Sequence, residues 1–452
     1  MTLQEFLDKD LSQYASYRVV QRIPQVIDGT GLTSRKVIYS FLKKKISKKI
    51  KTLDVYSLTK KVTKYAHGDT SIYSTMNNLV AEFKNNISIF TEDGSFGSRT
   101  ETSAAAPRYT ETRLKDVAYL IYRPVDYDLM PLQEFEGEKI EPVTLLPIIP
   151  MGVINGHQGI ALGYSSRILP RNPLKVIDQL LSILKKEKST ISILPPSFPQ
   201  FKGKVEKDPK DIKRWYINGN VYVSKSSKFK YIIDEVPFGY DRAKCLTIFN
   251  EMKKEKLIKR YTENCRENSF YFEIFVDGET ADKLSKMSRE KLLDYFSMRI
   301  TAKENYTFLD ENYKIQVFNT YSEYIAKYIK DRGQKYVIRR EKIIKELEDK
   351  LVVLTGKKVF IEKVVGGEIE IYKRSKKDII KQISNFKDIN KIDDSYEYLL
   401  NMKIYNLTAE KIKELEKQYK DTKRLLKETR QTTPAEMWVS ELEELREHLV
   451  KK

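Results

Sequence analysis

The run Ser103-Ala104-Ala105-Ala106-Pro107-Arg108-Tyr109-Thr110-Glu111-Thr112-Arg113-Leu114-Lys115 sets a tyrosine directly after an arginine, beside three alanines. A phenol, with a pKa of about 10, is a poor nucleophile at neutral pH. It becomes a good one where cations stabilise the phenolate and the charge that builds on a phosphorus centre. Arg108 and Arg113 flank Tyr109, and the small alanines let a bulky polyanion approach. The chain holds 29 tyrosines, so an ordinary helical tyrosine is the competing reading and only the surroundings decide.

Upstream, Asp93-Gly94-Ser95-Phe96-Gly97-Ser98-Arg99 is a glycine turn without the G-x-x-x-x-G-K-[ST] spacing of a nucleotide-binding loop, which occurs nowhere in the chain. Tyr65-Ala66-His67-Gly68-Asp69-Thr70-Ser71-Ile72-Tyr73 opens a helix, with Asp69, Thr70 and Ser71 suited to cap it. Helix N-termini attract phosphate, and His67 could donate to a phosphate oxygen. Taken singly, His67 is more often structural. From Arg35 to Lys64 eleven basic residues stand against one acid, Asp54, with Val37, Ile38, Phe41, Leu42, Ile46, Ile50 and Leu53 interleaved. That is a cationic amphipathic region of the kind that lies on a phosphate backbone, although a solvated lysine face reads the same in isolation. Leu3, Phe6, Leu7 and Leu11 make an apolar stripe on a short first helix.

The whole composition agrees. Lysine and arginine number 82 against 63 acids, a formal charge of +19 over 452 residues, which favours nucleic acid first and an anionic membrane second. Cys245 and Cys265 lack metal-ligand spacing and imply a reducing compartment, and the three histidines are scattered. No stretch approaches the roughly 20 apolar residues of a membrane span and no signal-peptide core opens the chain, so a soluble, intracellular protein is expected.

Further along, aromatic and β-branched runs between about 195 and 320 read as mixed α/β, with Asn218-Gly219-Asn220 as a hairpin turn. Val337, Ile344 and Leu351, with Leu347 and Leu354, follow a heptad, and Ile412, Leu415, Tyr419, Thr422 and Leu426 repeat it. Two such helices about 50 residues apart suit an antiparallel pair with a globular tip, or else a compact bundle.

Taken in order, these motifs resemble the breakage–reunion (A-type) subunit of type IIA DNA topoisomerases. The resemblance is carried by Asp28-Gly29, Arg35-Lys36-Val37-Ile38-Tyr39, His67-Gly68-Asp69-Thr70, Gly94-Ser95-Phe96-Gly97-Ser98 and Ala104 to Leu114. It continues through Pro147-Ile148-Ile149-Pro150, Ile154-Asn155-Gly156-His157-Gln158-Gly159-Ile160-Ala161-Leu162-Gly163, Arg167-Ile168-Leu169-Pro170-Arg171-Asn172-Pro173, Ile233-Asp234-Glu235-Val236-Pro237 and Leu400 to Thr408. The matches span about 20–430. The short chain is most similar to the separate medium-subunit branch of T-even-type phages.

The resemblance implies an α+β multidomain fold: an arm over 1–24, a winged-helix (CAP-like) DNA-gate domain over 25–190 and a tower domain over 191–320. A long antiparallel coiled coil with a helical exit gate over 321–430 and a tail over 431–452 would follow, with no room for a DNA-wrapping domain. It implies that Tyr109 attacks a DNA phosphodiester to form a 5′-phosphotyrosine, with Arg108 neutralising the phosphate and Arg35 and His67 orienting the reacting oxygens. Ile168 would wedge between base pairs while Arg167 and Arg171 hold flanking phosphates. Lys36, Lys43, Lys44, Thr70 and Ser98 would contact DNA. Asp28, Asp69 and Glu111 are too dispersed to be the family's TOPRIM carboxylates, so Mg²⁺ and ATP are expected on a partner TOPRIM/ATPase chain.

Double-stranded DNA, a two-fold homodimer, that partner and a cytoplasmic setting (the host's, if phage-encoded) complete the expectation, with no membrane. Relaxation and decatenation are favoured over supercoiling. Two departures stand out: Tyr65-Ala66 replaces a frequent His-Pro, and Ser74 replaces an acid that helps anchor quinolones, implying weak quinolone sensitivity. A tyrosine recombinase, whose nucleophile lies near the C-terminus, and a non-catalytic architectural DNA-binding coiled-coil dimer are the rival readings.

Overall fold

A computed structural model describes residue 4 and residues 6–392, 394–402 and 408–451. Leu3 of the expected stripe and residues 403–407 of the Leu400–Thr408 motif lie outside the described residues. The chain forms two compact units, Met1–Arg332 with Val439–Lys452, and Gly333–Trp438. Among the described residues no helix is long and apolar enough to cross a membrane.

The first unit opens with a π-helical turn, Phe6–Leu11, and an α-helix, Ser12–Arg22. Of the expected stripe, Leu7 is exposed and Leu11 half-buried, while Val19 and Ile23 pack against Leu309. Three helices follow, Leu32–Lys44, Thr52–Thr63 and Asp69–Val80. Val37, Ile38, Phe41 and Leu42 recur at helical spacing and are buried with Val55, Ile72, Met76 and Val80. Phe41 meets Phe90 edge-on at 5.0 Å. A two-stranded ladder joins Ile50–Lys51 to Glu111–Thr112, so the segment after Tyr109 is tied to the start of the second helix of the three.

Two antiparallel sheets build the middle of this unit. Arg299–Lys303, Arg214–Asn218 and Lys204–Lys207 form one, and Arg260–Glu263, Phe272–Phe275, Lys230–Glu235 and Asn220–Val223 the other. Asn218-Gly219-Asn220 is therefore not a hairpin turn: the chain changes sheets at Gly219. A Cβ there would lie 2.5 Å from the Glu235 carbonyl oxygen, so only glycine fits. The side chains on either side anchor to different sheets, Asn218 Nδ2 donating to Glu206 and Asn220 Nδ2 to Asp234, both at 2.7 Å. Beneath the four-stranded sheet, helix Arg242–Lys254, capped by Asp241, buries Cys245, Ile248, Phe249 and Met252.

Helix Tyr321–Val365 starts in this unit. Its Tyr324 hydroxyl donates to the Val26 carbonyl at 3.0 Å and its Tyr328 hydroxyl to the Pro147 carbonyl at 2.8 Å, while Arg332 pairs with Asp126 at 2.5 Å. These groups are buried, so each buried polar atom in these bonds has a partner.

In the second unit the rest of that helix faces Ala409–Gln431. Contacts run in opposite directions: Lys358 with Glu416 at 2.8 Å, Arg340 Nε donating to the Thr432 carbonyl at 2.8 Å, and Arg430 with Glu348. Leu354, Ile361 and Leu415 form the seam with Ile412 and Tyr419 packed against it, and Thr422 and Leu426 are buried further along the second helix. Val337 departs from the expected heptad: it is exposed, and Tyr336 is buried, stacked on Trp438 at 5.1 Å. Phe360, Ile369, Ile379, Ile383, Ile389, Tyr396 and Leu399 form a separate small core.

Candidate functional site

Arg108 and Tyr109 sit on an exposed single turn, Pro107–Tyr109. Tyr109 is 67% exposed, and the Arg108 guanidinium lies 4.8 Å from its ring centroid. The platform beneath is rigid. Thr110 Oγ1 donates to Thr52 Oγ1 at 2.8 Å, and Thr52 N donates to the Thr110 carbonyl at 2.9 Å. Asp93 and Glu111 exchange backbone hydrogen bonds, and Ala105 N donates to the Ser95 carbonyl at 2.9 Å. Gly94, at φ +87°, has room for no side chain, since a Cβ would lie 2.7 Å from the Tyr109 carbonyl oxygen. The glycine turn thus supports the tyrosine rather than a nucleotide. Arg113 is half-buried and donates to the Leu114 carbonyl, so Arg108 is the exposed cation of the pair.

His67 belongs to a second feature, a cleft of about 1100 Å³ in the first unit. Helix Ser12–Arg22 contributes Tyr14, Tyr17, Arg18, Gln21 and Arg22 to its wall, and helix Asp69–Val80 contributes Ser71, Ser74, Thr75 and Asn78. Lys84, His157, Arg167 and Ile168 also line it. No Asp or Glu is among the described lining residues. A cleft carrying four Arg or Lys side chains and no acid focuses a positive potential on a polyanion. Burial holds the Lys84 ammonium below the usual lysine range. Arg108 and Tyr109 are not among the lining residues.

His67 is exposed, and its Nε2 lies 2.7 Å from the Tyr17 hydroxyl and 2.9 Å from Gln21 Nε2. Tyr65, which stands in place of the His-Pro pair, is buried and meets the His67 ring edge-on at 5.5 Å. Helix Asp69–Val80 has Gly68 at its cap and no side-chain cap, correcting the expectation that Asp69, Thr70 or Ser71 caps it. Thr70 is exposed, its hydroxyl 3.4 Å from Asp69.

Several residues expected to touch DNA are committed elsewhere. Arg35 is buried, its Nε 2.6 Å from Asp28 and its Nη2 donating to the Thr30 carbonyl at 2.9 Å. In this conformation it braces the Asp28–Gly31 turn rather than presenting its guanidinium to the reacting oxygens it is expected to orient. Arg171 is fully buried, paired with Glu304 at 2.7 Å and donating to the carbonyls of Leu169 and Leu194. Lys36 pairs with Glu141 at 2.6 Å and donates to the Thr63 carbonyl. Ser98 is buried beside Thr100 at 3.2 Å. Ile168 is only 3% exposed, opposite His157 in the hairpin of His157–Ile160 and Ser165–Ile168, so in this conformation it is part of the cleft wall and not a projecting wedge. Lys43, Lys44 and Arg167 are exposed.

Sequence reasoning passed over Tyr17, Arg18, Gln21, Arg22 and Lys84. The signal was there for four of them: Tyr17, Arg18, Gln21 and Arg22 recur at helical spacing and share one helix face. The residues present do not fit a Mg²⁺ ion: among the described residues no group of three or more His, Cys, Asp or Glu could hold a metal. Of the buried carboxylates, Asp28, Asp126, Asp208, Glu235 and Glu304 are each paired with an arginine and Glu141 with Lys36.

The family of DNA gyrase/topoisomerase IV A-type subunits matches residues 22–443. The chain belongs to this family. It is 29% identical over 461 residues to a mitochondrial DNA topoisomerase 2 of Dictyostelium discoideum, covering 100% of this chain and 35% of that protein. It is 28% identical to the DNA topoisomerase medium subunit of Enterobacteria phage T4, covering 98% of each. The crystal structure of the Plasmodium falciparum topoisomerase II DNA-binding, cleavage and re-ligation domain superposes with a TM-score of 0.87 at 28% identity, over 99% of this chain and 64% of that one. The chain thus spans about a third of the first of these relatives and nearly all of the phage protein. The fold is a mixed α/β fold of the topoisomerase II DNA-binding and cleavage type.

Proposed function

We propose that this chain is the DNA breakage–reunion subunit of a type IIA topoisomerase that makes a transient double-strand break for passage of a second duplex. The observation that carries the reading is the exposed Arg108–Tyr109 turn on its hydrogen-bonded platform, in a unit whose cleft carries cations and no acid among its described lining residues. The Tyr109 oxygen attacks phosphorus in line, the bond to the 3′ oxygen breaks, and a 5′-phosphotyrosine and a 3′ hydroxyl result. Reversal reseals the strand without a nucleotide because the phosphodiester energy is retained. Positioning and charge neutralisation dominate such transfers, which suits a site made of one tyrosine and cations.

In this reading the helices Leu32–Lys44, Thr52–Thr63 and Asp69–Val80 with their short ladder are a winged-helix domain, and the two central sheets are the tower. The antiparallel helices of the second unit are a coiled coil ending in an exit gate. Cutting both strands calls for two tyrosines related by two-fold symmetry, hence a homodimer. Mg²⁺ and ATP belong to a TOPRIM/ATPase partner, the metal supplying charge stabilisation at the scissile phosphate when bound. The activity is ATP-dependent relaxation or decatenation in the cytoplasm, the host's if the chain is phage-encoded.

The test uses purified chain with its TOPRIM/ATPase partner, Mg²⁺ and supercoiled plasmid, stopped with detergent and digested with protease. Protein-linked linear DNA with blocked 5′ ends, absent in Tyr109→Phe, is expected. Blocked 3′ ends would mean recombinase-type chemistry, and DNA binding without cleavage under any metal condition would mean an architectural protein.

A further inference from the structure

We propose that Tyr17 and Gln21 are positioning residues that hold His67 in the tautomer whose proton sits on Nδ1. His67 then becomes a fixed hydrogen-bond donor toward a phosphate or sugar oxygen of DNA in the cleft. The role toward DNA rests on the function proposed above; the tautomer lock does not.

The argument begins with donors and acceptors. The Gln21 amide nitrogen, 2.9 Å from His67 Nε2, can only donate. Nε2 therefore offers its single lone pair, and the Tyr17 hydroxyl at 2.7 Å shares that acceptor, its own proton being free to turn toward it. The proton of a histidine sits on the ring nitrogen opposite the one that accepts, so it is on Nδ1. His67 borders the cleft, and no Asp or Glu is among the cleft's described lining residues to compete for the proton on Nδ1. Tyr65 closes the ring in edge-on at 5.5 Å, and Tyr17 itself lies edge-tilted at 6.2 Å, which limits rotation.

Sequence and fold make this a built arrangement. Tyr17 and Gln21 are four residues apart on helix Ser12–Arg22, hence one above the other on a single face. That helix is anchored by Val19 and Ile23 against Leu309, so the two donors are presented by a packed element and not by a free arm. The same helix contributes Arg18 and Arg22 to the cleft that His67 lines, so two cations share that cleft with the oriented imidazole. A donor with a fixed proton needs no reorganisation when a phosphate arrives, which is how preorganised donors gain their advantage.

The experiment reads the tautomer directly, by long-range ¹H–¹⁵N correlation on the full chain labelled at histidine. The three resonances are assigned with His67→Asn, His157→Asn and His448→Asn. The expected wild-type pattern for His67 is a protonated Nδ1 and an unprotonated Nε2. Gln21→Glu, which replaces the donor by an acceptor, should move the proton to Nε2. Tyr17→Phe with Gln21→Ala should give a mixed population. A wild-type His67 protonated on Nε2, or a tautomer unmoved by these variants, overturns the proposal.

A second arm measures trapped cleavage complex with the TOPRIM/ATPase partner and Mg²⁺. Gln21→Glu should lower it by on the order of tenfold to a hundredfold at unchanged thermal midpoint, with Gln21→Asn, which keeps the amide, recovering part of the loss. A tautomer that switches without any change in cleavage overturns the role toward DNA. A wild type that shows the lock yet never cleaves supports the lock and counts against the proposed function alone.

Discussion

Arg171 and Glu304 form a fully buried ion pair at 2.7 Å, with the Trp215 indole donating to the same carboxylate oxygen at 2.8 Å. The Arg171 guanidinium is thereby withdrawn from solvent and joins the hairpin that lines the cleft to the strand Arg299–Lys303 region. Removing one partner of a buried pair leaves the other charge unpaired, which costs about 3–5 kcal/mol. Arg171→Ala should therefore lower the denaturation midpoint sharply. The slope of DNA affinity against salt, measured on the folded fraction, should stay unchanged, because no phosphate contact is lost.

Arg108 makes the opposite case. It is exposed and rests on the Tyr109 ring, so Arg108→Ala should change stability by no more than about 0.5 kcal/mol. The yield of covalent complex should nonetheless fall on the order of a hundredfold, the scale seen when one preorganised charge-stabilising group is lost. Denaturation and cleavage assays on the same preparation separate the two effects.

His157 gives a pH signature. Desolvation pushes its imidazole below the usual histidine range, against a smaller upward pull from the Arg22 carbonyl 3.1 Å away. Above about pH 6.5 the ring is neutral both folded and unfolded, and contributes nothing to the pH dependence. As pH falls below that value, the unfolded chain takes up a proton that the folded chain resists, so stability drops. Denaturation midpoints of the wild type and His157→Asn, compared from pH 8 to pH 5.5, should keep a constant difference above about pH 6.5 and change it only on the acid side, where the variant loses less.

The two thiols should differ in reactivity. Burial pushes Cys245 up to about 12, and Cys265, half-buried, is raised too. A thiolate-selective reagent at pH 8 should modify Cys265 slowly and Cys245 only after unfolding. Mass spectrometry after timed labelling, with and without denaturant, checks this.

Family membership is legible in the sequence because its motifs are short unbroken runs, each carrying several side chains that chemistry constrains together. The position of Tyr109 between a glycine turn and an alanine run belongs to this class. Burial is a different matter. The resemblance gives Arg35 the reacting oxygens to orient and Arg171 a flanking phosphate, since an arginine beside a proline, a serine or a lysine gives no hint of its partner. Asp28 is seven residues from Arg35, but Glu304 is 133 residues from Arg171, and only the fold brings that pair together. The contact of Tyr17 with His67 spans 50 residues for the same reason. Ile168 illustrates a third limit: an alternating strand pattern tells which residues share a face, not whether that face is covered.

The step from one sheet to the other at Gly219 also makes a prediction. Gly219→Ala would drive a methyl group to 2.5 Å from a backbone oxygen, which cannot swing away as a side chain would, and should cost roughly 1–3 kcal/mol. Urea denaturation followed through Trp215, three residues before the crossing strand ends, would report it.

That crossing has a mechanical meaning as well. Asn218 is hydrogen-bonded into one sheet and Asn220 into the other, so a single residue is the whole length of chain between two ladders. Such a junction has no slack. A pull on either sheet reaches the other without first straightening a loop, and neither can slip by a residue without reversing inside and outside in its neighbour. In a protein whose proposed work is to let one duplex through a gap in another, this part of the chain would bear load as one piece.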